Sequence, residues 1–174
     1  MAKLSFNKLN LKVNTAISEI QYNDQSIEIK EYLPVNEKLE MISWIINQSA
    51  DELKFYNVGK LEIFKGIAIV QHYTNINFTE KQLKDPANLY DLLFSSGLLD
   101  LIIDEIAIYD YEWINKVLEN TVDSIYKYQN SIMGILDTVT TDYKDLNFDI
   151  SELQKNISNP ENLTLLKDVV TKLG

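Results

Sequence analysis

A single periodic stretch, residues 109–143, constrains the fold more than any other part of the chain. Leu118, Val122, Ile125, Gln129, Ile132, Leu136, Val139 and Tyr143 follow one another at alternating steps of four and three, which places them along one stripe of an α-helix. At the rise of an α-helix, a continuous helix over this stretch is on the order of 50 Å long. Such a helix has to lay its stripe against several shorter elements of its own chain, against a neighbouring subunit, or both. The expected architecture is therefore a helical bundle built around one long helix near residues 109–143. The seam from Leu118 to Val139 is the expected interaction surface. Gln129 is its one polar member, a substitution that lowers stability but fixes register or partner.

The sequence ahead of this helix has two characters. Residues 4–13 and 17–33 alternate apolar and polar side chains as strands do, and Asn23-Asp24 supplies a turn between residues 17–22 and 26–33. Ile27, Ile29 and Leu33 share the face that must be covered, because two or three strands bury no core alone. Beyond Pro34 the pattern is helical. Asn36 and Glu37 offer a cap and an acidic first turn for a helix to about Ala50, with Val35, Leu39, Ile42, Ile46 and Ser49 on one face. Residues 60–73 suit a buried strand or a helix, and their length favours the helix. Thr79 caps a short helix, Pro86 starts another that Gly97 stops, and residues 98–106 form a short, very apolar one. Two closing helices are expected, at residues 150–157 and from Pro160 onward, the second with a stripe of Leu163, Leu166, Val170 and Leu173. The reading is a mainly α chain with an N-terminal β-hairpin, an α+β fold. Residues 1–33 make the hairpin region and residues 34–174 the helical domain of what reads as one folding unit.

Charge narrows the partners. All 16 basic residues are lysine, 26 carboxylates oppose them, and the formal charge is −10. Nucleic-acid binding needs a cationic face and favours arginine forks, so nucleic acid is not an expected partner, and anionic lipid is disfavoured for the same reason. The most apolar window, residues 92–108, is interrupted by Ser95, Ser96, Gly97, Asp100, Asp104 and Glu105, so no bilayer span is expected. The start has no apolar signal region. Without cysteine, disulfides, thiolate nucleophiles and thiolate metal sites are excluded.

Catalytic patterns fare poorly. His72 is the only histidine and lacks the companions of a metal site or a Ser-His-Asp triad, so it reads as a partly buried histidine paired to a backbone group. Asp145, Asn147 and Asp149 imitate the start of an EF-hand loop, but Ile150 and Asn156 stand where its glycine and bidentate glutamate belong. Asp104, Glu105, Asp110 and Glu112 cluster at the start of the long helix. Favourable interaction with the helix N-terminus accounts for them better than paired acid–base catalysis does. The five glycines are scattered, which removes phosphate-loop readings. Tyr109, Tyr111, Tyr126 and Tyr128 supply aromatic surface, and Trp113 reads as core. The expectation is a protein with no catalytic, cofactor-binding or metal-ligating residues, no small-molecule substrate, and no cofactor.

Four segments carry a family resemblance: residues 26–34 leading into Glu37-Lys38-Leu39, residues 73–82, residues 126–131 with 134–137, and Asn159-Pro160-Glu161-Asn162. Together they resemble small acidic proteins of tailed bacteriophages of low-GC Gram-positive hosts, over nearly the whole chain. The resemblance implies a protein of the virion morphogenesis set and transfers no functional residue. Its partners would be other phage proteins and further copies of itself as a homo-oligomer. Its location would be the host cytoplasm during assembly, or the virion. The rival expectation is a small acidic phage effector that binds and inhibits a host protein, and a third is an enzyme using Asp104 and Asp110.

Overall fold

A computed structural model describes residues 3–51, 56–131 and 134. The fold is mainly helical, with an N-terminal antiparallel hairpin. The chain divides into two compact units, Met1–Asp123 and Ser124–Gly174.

In the first unit, residues 3–16 hold only a short 3-10 turn, Phe6–Leu9, and form no strand. The alternation of residues 4–13 is therefore not read out as a strand, and no neighbouring strand pairs with it among the described residues. Strands β1 (Ile17–Tyr22) and β2 (Gln25–Lys30) follow, with Ile20 opposite Ile27 and Ile17 opposite Lys30. Their two-residue loop is Asn23-Asp24, and both residues have positive φ, 46° and 61°. That is the conformation in which the turn twist matches the strand twist, and Asn and Asp tolerate it better than other side chains. Ile27, Ile29 and Leu33 are all buried, as the alternation requires. The far edge of β2 is partly closed by the chain that follows Tyr73: Ile29 bridges Thr74, and the Asn75 amide donates to the Glu28 carbonyl.

Helix α1 (Val35–Ser49) starts on Pro34 rather than on an Asn36 cap. Its buried face is Lys38, Met41, Ile42, Ile45, Ile46 and Ser49. Val35 and Leu39 stand out in solvent, so the helix is turned from the expected face toward one that carries a lysine inward. Helix α2 (Val58–Tyr73) buries five successive residues, Gly66 to Val70. A helix covered all round has no clean stripe, which is why its sequence suits a strand equally well. Trp44 meets Phe64 edge to face between α1 and α2, with ring centroids 5.6 Å apart.

Two short helices, α3 (Glu80–Leu83) and α4 (Pro86–Ser95), begin on caps legible in the sequence. The Thr79 hydroxyl and the Gln82 side chain satisfy each other's backbone amides, and the Asp85 side chain accepts from the Asn88 amide with Pro86 behind it. Gly97 adopts φ 73° between α4 and α5 (Leu98–Glu105). Gly66 of α2 lets the Tyr90 ring of α4 approach so closely that a Cβ there would lie 2.7 Å from Tyr90 Cε2.

Helix α6 runs from Ile108 to Gln129 and not to Tyr143. In the second unit Asn130 forms a turn and Ser131 a bend, each returning its side chain to a carbonyl of the last turn, Asn130 to Tyr126 and Ser131 to Tyr128. Such local bonds compete with helix propagation. The Ser131 hydroxyl also accepts from the Gly134 amide, the bond of a helix cap three residues on. The single 50 Å rod is thus interrupted at Asn130-Ser131. The closing helices expected at 150–157 and beyond Pro160 lie outside the described residues.

Candidate functional site

The first unit holds one buried polar centre. It was not foreseen as such, and it forms where four segments meet. Asp110, in the first turn of α6, is 1% exposed. Its Oδ1 accepts from the ammonium of Lys38, and its Oδ2 accepts from the Tyr73 hydroxyl at 2.6 Å and the Leu33 amide at 3.1 Å. Lys38 and Tyr73 are equally enclosed. The Lys38 ammonium also lies 4.1 Å from the centroid of the Tyr32 ring and 4.8 Å from that of Trp113, so two aromatic faces cover the cation. Every element at the centre is there for a local reason. Leu33 lies in the short link between β2 and α1, Lys38 falls on the inward face of α1, Tyr73 is the last residue of α2, and Asp110 is favoured at the positive end of α6.

Chemically this is a closed arrangement. Burial raises the Tyr73 hydroxyl far above its ordinary pKa, and the hydrogen bond to Asp110 adds to the shift, so the phenol stays protonated and donates. The carboxylate accepts three bonds and has one cation beside it, which offsets the desolvation of both charges. None of the three side chains presents a reactive atom to solvent.

The other residues singled out in the sequence fall elsewhere. Of the acidic cluster, Asp110 alone is buried, while Asp104 and Glu112 are exposed and Glu105 is half-buried. His72 is half-buried, and burial lowers its pKa against the opposing pull of Glu37 and Glu40. Its side chain makes no hydrogen bond among the described residues, so the expected backbone partner is not found there. Trp113 is half-buried over Lys38, and Tyr109 and Tyr128 are exposed. Along the seam, Leu118 is buried, and Val122, Ile125 and Gln129 are half-buried. Ile132, Leu136 and Val139 lie outside the described residues. Among the described residues no group of three or more His, Asp or Glu side chains could hold a metal ion, and no helix is long and apolar enough to cross a membrane.

The second feature is on the outside. Leu4, Phe6, Leu9, Leu11 and Val13 are 47 to 72% exposed, and every residue from 3 to 13 is exposed. Isolated surface leucines are ordinary, but five large apolar side chains within ten residues form a continuous uncovered run. Their alternation reads as a strand in the sequence, and the signal it carried was an unsatisfied apolar surface. No protein-family model, curated protein or solved structure matches the chain.

Proposed function

We propose that this protein works by binding other polypeptides, as a non-enzymatic morphogenesis protein of a tailed bacteriophage. It would be either a component of the head, neck or tail or an assembly factor of the tail-chaperone kind. The observation that carries the reading is the contrast between inside and outside. The interior carboxylate, ammonium and phenol are fully engaged with one another, while the apolar side chains of residues 4–13 face water. Apolar surface left uncovered on a charged body is what a binding protein offers a partner. The resemblance of residues 26–34, 73–82, 126–131 with 134–137, and 159–162 to small acidic phage proteins supports the phage assignment. On this reading Val122, Ile125 and Gln129, with Ile132, Leu136 and Val139 further on, add a packing stripe for other phage proteins or further copies.

Mass spectrometry of purified virions, joined to pull-downs with the tail proteins, tests this. Many copies in the particle mean a structural component, and absence from the particle with capture by a tail protein means an assembly factor. Absence from both, with the protein a strict monomer, ends the reading. The charge of −10 favours one rival, an effector that inhibits a basic host protein. Expression of the gene alone separates the two, because only the effector alters host growth without other phage proteins.

A further inference from the structure

The apolar run of residues 4–13 also lies in a basic part of the chain. Lys3 immediately precedes it, Lys8 and Lys12 fall within it, and all 26 carboxylates lie from Glu19 onward. At the other extreme, residues 85–115 contain seven carboxylates and no lysine. Within that stretch α4 and α5 carry the exposed apolar side chains Leu92, Phe94 and Leu101, which are 60, 55 and 46% exposed, and Asp91, Asp100 and Asp104 are exposed on the same two helices. Among the described residues, neither the three lysines nor these three aspartates take part in an ion pair. A basic apolar arm and an acidic apolar helix pair, each uncovered on the same chain, are complementary in both charge and hydrophobicity.

From this we infer that the arm, residues 3–14, of one copy docks on the α4–α5 face of a second copy. Leucine and phenylalanine side chains would lie on Leu92, Phe94 and Leu101, and the lysines would lie among Asp91, Asp100 and Asp104. A two-fold exchange makes the contact twice, and the same patches serve both subunits, so neither arm nor face is left open. The arm suits such an exchange because no residue from 3 to 13 is buried in its own chain, so it can leave without disturbing the core. The inference rests on the reading of the protein as one that acts through polypeptide contacts, and it does not need the phage assignment.

Sedimentation velocity of the full chain over a concentration series, at low salt and at about 0.5 M salt, tests it. A dimer is expected that dissociates as salt rises. In Lys3→Glu/Lys8→Glu/Lys12→Glu the dissociation constant should rise by about tenfold or more, as three exposed charge contacts allow, with an unchanged circular dichroism spectrum. Adding Asp91→Lys/Asp100→Lys/Asp104→Lys to that variant should restore the dimer, which a nonspecific charge effect would not do. A monomer at every concentration, or a dimer indifferent to the arm charges, overturns the inference. A dimer that survives loss of residues 1–14 but is broken by Val122→Glu/Ile125→Glu also overturns it, while leaving the proposed function standing on the seam.

Discussion

The ammonium of Lys38 and the carboxylate of Asp110, 72 residues apart in the chain, form an ion pair whose side chains are 4 and 1% exposed. The pair ties α1 to the first turn of α6, and through Tyr73 and the Leu33 amide the same carboxylate holds the ends of α2 and of the hairpin region. A buried charge pair adds little net stability over an apolar replacement of the same shape, but half of one is very unfavourable. The first unit is therefore specified by a contact whose parts all have to be present together.

Asp110→Ala leaves the Lys38 ammonium buried without its carboxylate and removes the acceptor for Tyr73 and Leu33. It should lower the unfolding free energy by about 3 to 5 kcal/mol, a large share of what a domain of this size has. Urea titration followed by circular dichroism measures it. Adding Lys38→Met should regain part of the loss, because the orphaned cation is gone. A loss below about 1 kcal/mol for Asp110→Ala would mean that the centre is not closed as described.

Tyr73 makes stability fall in alkali. Its folded-state pKa is raised above the ordinary 10.0, so the phenol binds its proton more tightly folded than unfolded. The stability this supplies is fully present below pH 10 and is lost as pH climbs toward the folded value, at about 1.4 kcal/mol per pH unit for one such group. Tyr73→Phe should flatten this part of the profile. It should also cost about 1.5 to 3 kcal/mol at neutral pH through the lost bond to a carboxylate. Unfolding curves of both proteins from pH 8 to 11 provide the comparison, and identical slopes would contradict it.

His72, as the sole histidine, can be titrated by NMR without assignment. Burial is the largest influence on it and lowers its pKa below 6.5, with Glu37 and Glu40 pulling the other way. A lowered folded pKa means that the unfolded chain takes the proton first. The associated stability is present above about pH 6.5 and drains away as pH falls through the folded value. A midpoint above 6.5 would show that the two glutamates outweigh burial.

The hairpin turn carries a small reserve of strain. Asp24 sits at φ 61°, a conformation glycine enters freely. Asp24→Gly converts the loop to Asn-Gly and should raise stability by up to about 1 kcal/mol. Thermal denaturation reads the change, and a lowered midpoint would mean that the Asp24 side chain makes a contact worth more than the strain.

How much of this was legible depends on distance along the chain. The Asn23-Asp24 turn, the Thr79–Gln82 cap and the Asp85-Pro86 helix start are local, and each is visible as residue types at fixed offsets. The face of α1 is not legible, because Lys38 looks like a solvent residue until Asp110 is placed beside it, and nothing near either residue announces the other. Asp110 itself was recognisable only as a carboxylate at a helix N-terminus. The end of α6 was hidden by a seam that continues in apolar pattern past Asn130-Ser131, where side-chain bonds to the backbone override periodicity. The alternation of residues 4–13 was visible, but alternation says only that one side wants covering and not whether its own chain does so.

Whether another polypeptide covers residues 4–13 is tested directly by hydroxyl-radical footprinting, which reports the side chains that water can reach. Leu4, Phe6, Leu9 and Leu11 should be oxidised readily in the dilute chain and become protected in the complex it forms, with a second copy or with another protein, while Tyr73 stays protected in both. Equal oxidation of the four arm residues in the free and assembled protein would contradict the claim that this surface exists to be covered by another polypeptide.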